Sequence, residues 1–140
     1  MSYEPSPSHT ESRESEHATI VRMHSMHLLL LSSDWSYRIV MSMLLTRRGY
    51  TVVAGGLGEA RRLLLRERPD VALLDAGELT AQLEHTLTLA RKLAESASVV
   101  VVAGRAGAPS SGIPVLARWA PLGELLVVLE RATRRRRIGD

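Results

Sequence analysis

From Met26 onward, short apolar runs alternate with stretches whose apolar residues recur at helical spacing, and the period of each assigns its element. His27–Leu31 reads as a buried strand. Residues 35–48 place Ile39, Val40, Met43 and Leu44 on one face of a helix, and Gly49 supplies a stop. A second strand is expected over 50–54, followed by a turn at Gly55, Gly56 and Gly58. Ala60, Leu63 and Leu64 then give the core stripe of a helix that must end before Pro69. Residues 71–74 are apolar throughout, as in a strand covered on both faces. Residues 79–95 repeat apolar side chains at Leu79, Leu83, Leu87, Ala90, Leu93 and Ala94, a long amphipathic helix. A fourth strand at 99–103, a fifth at Ile113–Ala117 and a last helix marked by Leu122, Leu125, Leu126 and Leu129 complete the pattern.

Strand and helix alternate except between the last two strands. There residues 104–112, with their Gly, Pro and Ser, are too short and too rich in breakers for more than a turn. Alternation of this kind implies right-handed crossovers and a parallel sheet with helices on both faces. The expected fold is a flavodoxin-like, doubly wound, five-stranded parallel sheet of order 2-1-3-4-5, with the fourth helix shortened or missing. A missing helix leaves sheet uncovered, so Val100 and Val102 are expected to look toward solvent and, with Trp119 and Leu122, to form an interaction surface.

Composition sets the outer limits. A chain of 140 residues with 45% hydrophobic residues accommodates one domain, here 26–133. Residues 1–25, rich in Ser, Glu, His and Pro, have the composition of a disordered leader, and 134–140 form a basic tail. No apolar run approaches the roughly 20 residues that span a bilayer, and no secretory signal opens the chain, so a soluble, cytoplasmic protein with no membrane partner is expected. The absence of cysteine excludes disulfides, thiol nucleophiles and thiolate metal sites. The net charge of +3 is concentrated in Arg131 and in Arg134, Arg135, Arg136 and Arg137. That run either meets nucleic-acid phosphates or, more ordinarily, solvates a helix end whose dipole favours cations.

Candidate chemistry lies where the apolar runs end, which is where open parallel sheets keep their sites: Ser32, Ser33 and Asp34 after the first strand, Asp75 after the third, Arg118 after the fifth. Each has a plainer reading. Ser32-Ser33-Asp34 suits a helix N-cap, Asp75 a loop cap, and Arg118 an ordinary surface position. Gly55-Gly56-Leu57-Gly58 lacks the third glycine of a dinucleotide fingerprint and follows the wrong strand. His24 and His27 are three apart, but a solvated pair is the ordinary reading. No Ser-His-Asp or Gly-x-Ser-x-Gly arrangement supports hydrolysis, and no enzymatic activity is expected.

The stretches LLLLSSDWSYRIVMSMLLTRRGYTVV and GEARRLLLRERPDVALLD resemble the first two strands, and then the second helix and third strand, of a response-regulator receiver domain. The resemblance covers most of the chain from Met26 to Ala132. It implies that Asp75 holds the phosphoacceptor position. It also implies a degenerate, pseudo-receiver pocket: the acidic pair that would hold Mg²⁺ is Ser32 and Ser33, with Asp34 the one acid left in that loop. The switch Thr or Ser is Ala103, the phosphoryl-contacting lysine is Arg118, and the residue after it is Trp119.

Phosphoryl transfer to a carboxylate brings two anions together and relies on a divalent ion to neutralise the charge. Two serine hydroxyls offer no charge, and Asp34 with Asp75 alone make a poor Mg²⁺ site, so no cofactor is expected. Arg118, whose planar fork suits a carboxylate, is expected beside Asp75, where it would hold the pocket in one state without phosphate or metal. The leading expectation is therefore a phosphorylation-independent module acting through a protein partner or a homodimer, either stand-alone or as part of a longer chain. Two alternatives stay open. One is a competent receiver that accepts phosphate on Asp75 from a histidine kinase, with Mg²⁺ held by Asp34 and Asp75. The other is a flavodoxin-like domain that binds a nucleotide or other small anion at Ser32, Ser33 and Arg118.

Overall fold

Alternation of buried side chains on each strand dictates two apolar layers. Leu29 and Leu31, Ala72 and Leu74, Val99 and Val101 face one way, whereas Leu28 and Leu30, Val71 and Leu73, Val100 and Val102 face the other. A computed structural model describes residues 26–110 and 112–139. The expected leader, 1–25, with His24, lies outside the described residues. In chain order the elements are β1 (His27–Leu31), α1 (Trp35–Arg47), β2 (Thr51–Gly55), a 3-10 turn (Leu57–Glu59), α2 (Ala60–Glu67), β3 (Val71–Asp75), α3 (Thr80–Leu93), β4 (Ser98–Ala103), β5 (Gly107–Ser110), β6 (Ile113–Ala117) and α4 (Leu122–Gly139). The sheet order is β2-β1-β3-β4-β6-β5.

The five long strands are parallel and stand in the expected order, which confirms the flavodoxin-like doubly wound sandwich. α2 and α3 cover one face, α1 and α4 the other. The last helix continues unbroken through the arginine run to Gly139. Among the described residues no helix is long and apolar enough to cross a membrane.

Four expectations need correction. The connection between the fourth and fifth parallel strands is more than a turn: β5 pairs antiparallel with β6, and the sheet has six strands. Nine residues with Pro109 inside cannot build a covering helix, but they can satisfy their backbone against a free sheet edge, where proline is tolerated.

Val100 and Val102 are not exposed. They are 0% and 1% accessible, because α4 lays Leu125, Leu129 and Ala132 over that face, while the lost helix belongs to the opposite one. On that opposite face Val99 and Val101 remain buried in a cluster with Leu87, Ala90 and Leu93 of α3, and α3 also reaches the hairpin, where Arg91 Nη2 donates to Ser110 Oγ at 2.8 Å.

α1 buries a different face from the expected one, sharing only Leu44 with it. Tyr37, Met41 and Leu45 are buried and Leu44 packs partly against them, whereas Ile39, Val40 and Met43 are exposed together with Trp35. At 100° per residue Ile39 and Met43 lie roughly opposite Tyr37, Met41 and Leu45, with Val40 at the boundary beside Leu44, so α1 is apolar on two sides and spacing alone could not choose between them. Leu79, assigned to the core stripe of α3, instead precedes the helix as its N-cap and is exposed.

Val102→Asp is therefore expected to place an unpaired carboxylate in the core. It should lower stability by about 3 kcal/mol or more, while Ile39→Asp on the exposed side of α1 should stay within about 1 kcal/mol. Urea denaturation of the two variants against wild type measures the contrast.

Candidate functional site

The carboxyl ends of β1, β3 and β6 meet at one point because these strands are parallel and lie close together in the sheet. β3 ends on Asp75, which is 2% accessible. Beyond it the chain turns at Gly77, whose φ of 77° only glycine adopts readily and whose N–H donates to Asp75 Oδ1 at 2.9 Å. The turn carries Glu78 back over the sheet, against Gly104 at the end of β4. A Cβ on Gly104 would lie 3.0 Å from the Glu78 carbonyl oxygen, so this close approach favours glycine.

β1 ends before Ser32, whose buried Oγ donates to Asp75 Oδ2 at 2.7 Å and accepts the Asp34 N–H at 2.9 Å. Asp34 is the N-cap of α1: its Oδ1 accepts from the N–H groups of Ser36 and Tyr37 at 3.0 and 3.3 Å. Its other oxygen is free to turn toward the strand ends.

Arg118 follows β6 and extends its ladder by one bond, its N–H donating to the Ala103 carbonyl at 2.6 Å. The guanidinium then points into the cluster, only 6% accessible. Nε and Nη2 grip the two oxygens of Asp75 at 2.7 and 2.8 Å, Nη2 also reaches Asp34 Oδ2 at 2.7 Å, and Nη1 reaches Glu78 Oε2 at 3.0 Å. Its Cζ lies 4.7 Å from the Tyr37 ring centroid and 5.7 Å from that of Trp119, and those two rings meet edge-on at 5.1 Å.

Burial works against the Arg118 charge, but the hydrogen bonds it donates to Asp75, Asp34 and Glu78 more than offset it and raise the pKa. The same hydrogen bond from Arg118, with help from the Tyr37 N–H, holds the Asp34 carboxyl below its ordinary 3.8. Burial, and then the nearby Asp75 charge, push the Tyr37 hydroxyl up. Outside this cluster a cleft of about 270 Å³ is lined by Ser33, Leu57, Gln82 and the three carboxylates.

No protein-family model matches the sequence, and a search of curated proteins finds no match. Solved structures do match in shape. The signal receiver domain of a protein described as a Luxo repressor from Vibrio parahaemolyticus superposes with a TM-score of 0.65 at 16% identity, over 83% of this chain and 95% of that one. The BeF3-activated receiver domain of Klebsiella pneumoniae RstA gives 0.61 at 21%, over 77% and 98%. The receiver domain of the hybrid histidine kinase CckA gives 0.57 at 21%, over 76% and 98%. The chain has the receiver fold.

Within that fold the expected pairing of Arg118 with Asp75 is present, and Ser32 and Asp34 join it. Ser33 is exposed on the cleft rim, and Ala103 is buried in the α2/α3 layer. Trp119 is 57% accessible, and Leu122 is partly buried against the α1/α4 layer. Glu78 and Tyr37 were missed. The signal for Glu78 was the Asp-Ala-Gly-Glu order after β3, in which Gly77 permits a tight return. For Tyr37 it was an aromatic three residues past an Asp N-cap.

Arg118→Met should strand Asp75 as a buried charge and destabilise the fold by about 3–5 kcal/mol, and adding Asp75→Asn should recover much of that loss. Chemical denaturation of the single and double variants checks both. Asp34 titrates lower when folded than when unfolded, so its contribution is complete above 3.8 and fades as pH falls through the depressed folded value. Asp34→Asn keeps a competent cap. The stability gap between wild type and Asp34→Asn should be flat at neutral pH and close in acid, as thermal melts between neutral and strongly acidic pH would record.

Proposed function

We propose that this chain is a receiver-fold signalling module that acts by protein association and does not depend on phosphorylation of Asp75. The observation that carries the reading is the Arg118 guanidinium, bonded at 2.7–3.0 Å to Asp75, Asp34 and Glu78. Both oxygens of Asp75 are engaged, one by Arg118 and Gly77, the other by Arg118 and Ser32. A phosphoryl donor would have to displace these partners to reach a lone pair.

The residues here do not fit Mg²⁺. That ion takes anionic oxygens at near-octahedral geometry, and the oxygens of Asp34 and Asp75 already face a fixed cation, while the Ser32 hydroxyl is neutral and already accepts the Asp34 N–H. Arg118 thus supplies the neutralisation a divalent ion would otherwise bring, as a permanent part of the chain. Ala103 offers no hydroxyl to follow a phosphoryl group.

For association, Val100 and Val102 are replaced as candidates by residues at the surface. Trp35, Ile39, Val40 and Met43 line the outer side of α1, and the exposed Trp119 meets the same helix edge-on at Tyr37. Exposed apolar groups grouped in this way are typical of protein contact surfaces. The partner is a protein, either another chain or a second copy.

Incubation with acetyl phosphate or beryllofluoride and Mg²⁺ is expected to leave the intact mass and the melting temperature unchanged; a phosphoryl adduct on Asp75 would overturn the reading. Sedimentation velocity should show a concentration-dependent complex that Ile39→Glu and Met43→Glu weaken at nearly unchanged thermal stability. A complex indifferent to both substitutions would reject this surface.

A further inference from the structure

A cavity of about 320 Å³ opens at the end of the sheet opposite Asp75, bordered by the starts of β4 and β6 and by the last turns of α3 and α4. Ala97, Val99, Ile113, Pro114 and Ala132 give it an apolar lining. Its one uncharged polar side chain, Ser98, is already satisfied, because Oγ donates to the Ala132 carbonyl at 2.7 Å. The charged groups lining it are Arg131 and Arg135.

These two arginines differ from their neighbours. Arg134 is paired with Glu130 at 3.1 Å, and Arg118 is saturated by carboxylates. Among the described residues neither Arg131 nor Arg135 has a carboxylate partner. They stand four apart on one helix, so like charges face each other along the rim, an arrangement that repels by a few tenths of a kcal/mol. The negative end of the α4 dipole accounts for cations in its last turns. It does not account for two unpaired forks over an apolar hollow.

We propose that this cavity binds a small organic anion, with the apolar body on the lining and a carboxylate, sulfonate or phosphate across Arg131 and Arg135. Guanidinium forks match such anions bidentately, and the anion would remove the Arg–Arg repulsion. The volume lies at the lower end for small-molecule sites, about 300–1,000 Å³, which fits a body of one or two rings or a short acyl chain. The proposal is independent of the reading given to Asp75, since the two sites share no residue.

Calorimetric titration of the full chain with 2-naphthoate, its neutral alcohol 2-naphthylmethanol and inorganic phosphate tests it. 2-Naphthoate is expected to bind about tenfold or more tighter than either control, since only it offers both the apolar body and the charge. The double variant Arg131→Gln/Arg135→Gln should lose about tenfold in affinity at unchanged melting temperature, and Ala94→Phe, at the rim, should block the cavity with both arginines intact. Equal binding of acid and alcohol, no binding of 2-naphthoate, or affinity indifferent to these variants would overturn the proposal. Displacement of 2-naphthoate by a synthetic peptide of residues 1–25, or by a short oligonucleotide, at lower concentration than any small anion would also overturn it, by assigning the cavity to that occupant.

Discussion

Burying the Arg118 guanidinium is tolerable only because every acidic side chain within reach is turned onto it. A cation that is 6% accessible would be strongly destabilising on its own, and three carboxylates with two aromatic rings meet nearly all its directions of approach. The consequence spreads outward. Asp34 can face Arg118 only if α1 begins where it does, because the same carboxylate caps that helix. Tyr37 lies beneath the guanidinium, which fixes the rotational phase of α1 and puts Tyr37, Met41 and Leu45 inside. Glu78 reaches the cluster because Gly77 turns and Gly104 lets it pass. The carboxyl ends of three strands and the start of one helix are thereby joined through a single side chain.

This arrangement also explains what the core does at the shortened connection. Losing a helix exposes one face of β4 and β6, and the chain answers with an added antiparallel strand and with α3 reaching to that strand through Arg91 and Ser110. The face carrying Val100 and Val102 never depended on the missing helix, since α4 covers it. The apolar surface left over lies instead on the outer side of α1, whose inner face is chosen by the Arg118–Tyr37 contact.

The five parallel strands, their order and the ends of most helices were legible in the sequence because each rests on a local signal: a run of apolar residues, a Gly after the last periodic residue, a Pro at 69. The pairing of Arg118 with Asp75 was legible because both lie at strand ends that a doubly wound sheet brings together. The failures share another cause. The phase of α1 is undecided locally, since both its sides are apolar, and is settled by a residue 81 positions away in sequence, Arg118 over Tyr37. Likewise β5 forms because an edge is available to nine residues that have no strand signal of their own, and Glu78 joins the site through a close approach between two loops.

The two ends of the sheet differ in how their charges are paired. At the carboxyl end three carboxylates confront one guanidinium, so the cluster keeps an excess of negative charge, and Asp34 and Glu78 show that excess to solvent. The cation is consequently the indispensable member: withdrawing any one acid leaves Arg118 two others, but withdrawing Arg118 leaves the carboxylates repelling one another, one of them fully buried. At the amino end, among the described residues, Arg131 and Arg135 border an apolar hollow without a carboxylate partner. The end of the sheet that holds Asp75 thus shows net negative charge to solvent, whereas the pocket at the opposite end is bordered by two arginines, a contrast that follows from where this chain spends its acids and its arginines.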